Sequence, residues 1–90
     1  MTKLDWTTTV TTGPGGIRTE EAGTLDGEIT LRTFWSDTDN LALVTVQHHE
    51  IREWYTVAGG PVPADSKELA EAVHQAAVAA AREGDDATAG

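Results

Sequence analysis

The hydrophobic period of this chain changes once, and that change sets the fold class. Over residues 1–60 the composition is rich in Thr, Val, Ile and Trp, with turn signals at short spacing. That is strand composition. Over residues 65–83 it is rich in Ala and Glu, with Leu69 and Gln75 among them, which favours a helix. Between the two lies Ala58-Gly59-Gly60-Pro61-Val62-Pro63, a linker expected not to continue a strand. The reading is α+β: an antiparallel β-meander of four to five strands followed by one C-terminal α-helix packed on one face. Residues 1–83 are taken as one domain and 84–90 as a disordered acidic tail.

The strand half divides at its turns. In residues 3–12, Leu4, Trp6, Thr8 and Val10 alternate with Lys3, Asp5, Thr7 and Thr9, a period of two that gives a drier and a wetter face. Gly13-Pro14-Gly15-Gly16 ends this strand as a turn. Lacking the lysine and spacing of a phosphate loop, it has no such role. Residues 17–25 read as a polar edge strand carrying Glu20 and Glu21. Asp26-Gly27 suits a two-residue hairpin, pairing Leu25 with Glu28, Ala22 with Leu31 and Glu21 with Arg32. Residues 28–35 set Ile29, Leu31, Thr33 and Trp35 against Glu28, Thr30, Arg32 and Phe34. The turn at Ser36-Asp37-Thr38-Asp39-Asn40 resembles part of a calcium loop but lacks the glycine and the distal glutamate, so it reads as a hairpin turn. Residues 41–47 are nearly all apolar and read as a central strand buried on both faces. After His48-His49-Glu50, residues 51–57 alternate again.

Asp65 with Glu68 three residues on forms a capping-box pattern, which predicts a helix over 66–83 stopped by Gly84. Leu69, Val73, Ala76, Ala77 and Ala80 form its expected core stripe. His74 falls on the polar arc, and Val78 is the one apolar residue there.

The charge narrows the partners. The chain carries 15 acids and 6 bases, a net −9, with 9 against 4 in residues 1–64 and 6 against 2 in 65–90. Such a field disfavours double-stranded nucleic acid and anionic membrane surfaces. With no cysteine there is neither disulfide nor thiolate metal site. Met1-Thr2-Lys3-Leu4-Asp5-Trp6 has no apolar core of signal-peptide length, and no stretch approaches the roughly 20 apolar residues of a membrane span. The expectation is a soluble, cytoplasmic protein.

No constellation names a chemistry. His48, His49 and His74 read as surface histidines rather than metal ligands, because neighbouring strand residues point to opposite faces and His74 has only Glu71 near it. Neither Ser36 nor Ser66 has a base held beside it. The expectation is therefore no catalytic residue, no metal and no cofactor. Trp6 and Trp35 read as core. Arg32, Phe34, Arg52 and Trp54 fall on the opposite parity. With one of Leu41 or Leu43 they would line the sheet face that a single helix leaves uncovered. Aromatic residues with arginine are hot-spot composition at protein interfaces. The functional reading is a small acidic non-enzymatic protein-interaction module, a homodimer, binding a protein partner or itself. The alternatives are an acidic inhibitor that mimics nucleic acid at a basic site, and a single-stranded nucleic-acid binder that stacks bases on the aromatic face.

Overall fold

The computed structural model describes residues 2–49 and 52–84. Its elements run β1 (Lys3–Thr11), β2 (Ile17–Arg18), β3 (Thr24–Leu25), β4 (Glu28–Ser36), β5 (Leu41–His48), β6 (Trp54–Thr56), β7 (Val62–Pro63) and α1 (Lys67–Glu83). The architecture is α+β: a five-stranded antiparallel sheet in the order β1-β4-β5-β6, with β7 also on β5, and one C-terminal helix packed across it.

The expected hairpin at Asp26-Gly27 does not form. β4 pairs instead with β1, from Lys3↔Ser36 to Thr11↔Glu28. This ladder runs nine residues and sets Leu4 beside Trp35, Trp6 beside Thr33 and Val10 beside Ile29 on one face. The polar segment 17–25 could not supply so many matched apolar pairs. It is also not one strand. Ile17–Arg18 and Thr24–Leu25 make a separate two-stranded ribbon, with Ile17 and Leu25 turned into the core. Arg32 lies opposite Thr7 rather than Glu21, and Leu31 opposite Thr8 rather than Ala22.

This excursion closes the far edge of the sheet. Thr19 bridges Val57, the Glu20 amide donates to the Thr56 carbonyl at 2.8 Å, and the Ala58 amide donates to the Arg18 carbonyl at 2.9 Å. The Glu21 carboxylate accepts from the Thr56 amide at 2.7 Å and from its hydroxyl at 2.9 Å. Those two donors hold the Glu21 carboxyl below the usual carboxylate range.

β5 is central, but it is not buried on both faces. Ala42, Val44 and Val46 are buried, whereas Leu41, Leu43, Thr45 and Gln47 face the other way and are exposed or half-buried. One helix covers one face only. The linker after β6 was expected to carry no strand, yet Val62 and Pro63 pair with Ala42 and Leu41. Pro63 is tolerated because it sits at the sheet's edge. Glu50 and Ile51, the start of the expected last strand, lie outside the described residues, as does the tail over 85–90.

The helix begins one residue later than expected, and its cap is Ser66 rather than Asp65. The Ser66 hydroxyl accepts from the Leu69 amide at 3.2 Å, so Glu68 sits in the first turn without closing a capping box. Gly84 stops the helix at φ 78°, its amide donating to the Ala80 carbonyl. The Gly13 amide donates to the Ala81 carbonyl at 2.9 Å. A Cβ on Gly13 would run into the Arg82 and Glu83 carbonyls, and one on Gly84 into the Pro14 carbonyl. The glycine-rich turn and the helix end therefore lie in backbone contact, which only glycine permits.

The helix is also rotated from the expected stripe. Ala70, His74, Val78 and Ala81 are buried, Val73 and Ala77 are half-buried, and Leu69 is 45% exposed. Seven alanines spread round this helix make its sides nearly alike, so its core face was decided by what lies beneath. Two apolar clusters lie there. One joins Val10, Ile17, Leu25, Ile29, Leu31, Val44, Val46, Val78 and Ala81; the other joins Trp35, Ala42, Ala64 and Ala70. Between them sits a polar layer. His74, neither polar-arc nor surface as expected, bonds Thr33 through Nδ1 at 2.7 Å and Thr8 through Nε2 at 2.8 Å. Trp35 is in the core as expected, its Nε1–H donating to the Ala64 carbonyl at 2.8 Å, and Trp6 is half-buried against the same cluster.

Candidate functional site

The face turned away from α1 is built in rows that the register fixes. Lys3, Ser36, Leu41 and Pro63 form one, and Asp5, Phe34 and Leu43 the next. Thr7, Arg32, Thr45 and Thr56 follow, then Thr9, Thr30, Gln47 and Trp54. Period-two alternation carries each of these side chains to the same side.

Arg32 ties two rows together. Its Nε donates to Asp5 Oδ2 at 2.7 Å, and its guanidinium carbon lies 4.6 Å from the centroid of the Phe34 ring. The planar cation is held flat over an aromatic face, a geometry arginine adopts better than lysine. Below it the Thr45 hydroxyl donates to the Arg32 carbonyl at 2.8 Å. The sequence pattern pairs Arg32 with Glu21 through the Asp26-Gly27 hairpin, so it does not bring Asp5 to Arg32. The place of Asp5 on the wet side of the alternation was the available signal.

Arg32, Phe34, Arg52 and Trp54 do not form one cluster. Phe34, 39% exposed, neighbours Leu43, and Leu41 is 41% exposed; both leucines belong to the face. With Lys3, Ser36 and Pro61 these side chains wall a shallow apolar cleft of about 350 Å³. Trp54, 42% exposed, lies beside Gln47 at the other end, with the Arg32–Thr45 row between it and Phe34. Arg52 shares that end: its carbonyl accepts from Gln47 Nε2 at 2.7 Å, and with Thr30, Gln47 and His49 it borders a polar depression of about 310 Å³.

No known family model, curated protein or solved structure matches this chain. Both serines are engaged in local structure. Ser36 Oγ accepts from the Thr38 amide at 3.1 Å, and Ser66 caps the helix. His48 Nε2 donates to the Asp26 carbonyl at 2.8 Å, and His49 Nδ1 lies 3.4 Å from Glu28 Oε1. Among the described residues no three His, Asp or Glu side chains gather at metal-ligand spacing, and no helix is long and apolar enough to cross a membrane.

Proposed function

We propose that this chain is a small acidic, non-enzymatic interaction module that works as a homodimer and engages a protein partner through the uncovered sheet face. The observation carrying this reading is the exposure of Phe34, Leu41 and Trp54 along the one sheet face the helix leaves uncovered, with Arg32 already stacked on Phe34. Aromatic anchors and a pre-positioned arginine lose little side-chain entropy on binding, which is why such residues dominate interface energies. Charge supports the same face. Lys3, Arg32 and Arg52 supply half of the chain's 6 bases, interspersed with Asp5, Glu28, Asp39 and Glu21 on or beside the same surface. This mixture suits a protein surface better than it suits mimicry of nucleic acid.

The test is affinity capture from native-host extract with the unaltered protein, Phe34→Asp and Arg32→Glu side by side. The expected result is a specific partner retained by the unaltered chain and lost from both variants, while circular dichroism stays unchanged. A partner held equally by all three would place the contact elsewhere. Light scattering gives the oligomeric state independently.

A further inference from the structure

The two edges of the sheet differ. The β6 edge is closed by residues 18–21, through backbone hydrogen bonds and the Glu21 carboxylate. Along the outer edge of β1 no backbone partner exists among the described residues. β1 is nine residues long, has neither proline nor glycine, and runs against β4 without a bulge. From Trp6 to Ile17 the sequence contains no Asp, Glu, Lys or Arg, in a chain that is 23% charged. Natural edge strands are normally blunted by charge, proline or a bulge, and this one has none of them past Asp5.

The direction of its free groups follows from the ladder. The Thr12 amide donates to the Gly27 carbonyl, and the Asp37 amide to the Thr2 carbonyl. Even-numbered residues of β1 therefore bond β4. Lys3, Asp5, Thr7, Thr9 and Thr11 aim their N–H and C=O outward.

We infer that a second copy of this chain pairs antiparallel with the outer edge of β1, about a two-fold axis at Thr7. This rests on the homodimer part of the proposed function and says where the copy sits. The strand is self-complementary in that register. Thr7 meets Thr7, Asp5 meets Thr9 and Lys3 meets Thr11, so every outward residue finds a partner and no like charges oppose. On the helix side, Leu4 meets Val10 and Trp6 meets Thr8, covering Leu4, Trp6 and Thr8, which the single chain leaves half-exposed. Two copies with net charge −9 each repel, and this strip, whose one base Lys3 and one acid Asp5 cancel, lets them approach without added repulsion. An antiparallel pair has its axis perpendicular to the sheet. Both helices then lie on one side, and the two Arg32–Phe34 faces merge into a continuous surface on the other.

The experiment is light scattering across a concentration series with the unaltered chain, Thr7→Pro and Phe34→Asp. Proline at position 7 removes an outward N–H and leaves the bonds to β4 intact. The expected result is a dimer for the unaltered chain and Phe34→Asp, and at least tenfold weaker association for Thr7→Pro. Dimerisation abolished by Phe34→Asp and untouched by Thr7→Pro would overturn the edge and keep the homodimer. A strict monomer at the highest concentration would overturn both. Hydrogen exchange on the unaltered protein gives a second readout should Thr7→Pro fail to fold. Thr7 and Thr9 amides should be as protected as Thr8 and Val10, and should lose that protection on dilution. Free exchange at Thr7 and Thr9 beside protected Thr8 and Val10 would show an empty edge and overturn the inference.

Discussion

The Nδ1 of His74 lies 2.7 Å from the Thr33 hydroxyl, and both residues are buried, His74 at 1% exposure. With Thr8 on the other nitrogen, the ring is satisfied on both sides while neutral, one nitrogen donating and the other accepting. Burial pushes its pKa below the ordinary 6.5, opposed by the Glu71 carboxylate. The unfolded chain therefore takes up this proton before the folded chain does. Stability from His74 is complete above 6.5 and falls as pH drops below it. Urea unfolding between pH 7.5 and 5 should show the midpoint decreasing, and His74→Gln should flatten the part of that slope nearest 6.

Truncating the same ring should be costly. His74→Ala strands the buried Thr33 hydroxyl and the half-buried Thr8 hydroxyl and opens a cavity between the apolar clusters, for a loss of about 2–4 kcal/mol. Chemical denaturation measures this. A loss below about 1 kcal/mol would mean the polar layer is not tightly packed.

The rotation of the helix can be checked with two truncations. Val78, 3% exposed, packs in the larger cluster, so Val78→Ala should lower stability by about 2 kcal/mol. Leu69 faces solvent, so Leu69→Ala should change stability by less than about 0.5 kcal/mol. The reverse order would restore the stripe expected from the sequence.

Gly84 holds φ 78° with its missing side chain against the Pro14 carbonyl. Gly84→Ala should cost about 1–3 kcal/mol, from an unfavourable backbone conformation and displacement of the glycine-rich turn. Thermal unfolding of the variant is the measurement.

The Asp5–Arg32 pair is half-exposed, with both side chains 41% accessible, so solvent screens it and it adds little to folding. A double-mutant cycle on Asp5→Ala and Arg32→Ala should return a coupling of about 0.2–1 kcal/mol in stability. A much larger value would make the pair structural and weaken its place in the proposed interaction surface.

The amino-acid sequence by itself determined the fold class, the sides of the strands and the end of the helix. Those follow from local rules: the alternation in β1 and β4, the proline- and glycine-bearing linker, and the left-handed conformation that Gly84 accepts without a Cβ. It also placed Arg32, Phe34 and Trp54 on one face, because parity survives any choice of neighbour. Only the tertiary structure decided who those neighbours are. Asp26-Gly27 favours a local hairpin, but the nine-residue ladder between β1 and β4 buries more apolar surface, so segment 17–25 leaves the sheet and Arg32 meets Asp5 instead of Glu21. The helix offered alanine on most sides, so its rotation was set by Thr8 and Thr33 beneath His74. Pairing partner and helix rotation are non-local, and the free edge of β1 is what remains after both are settled.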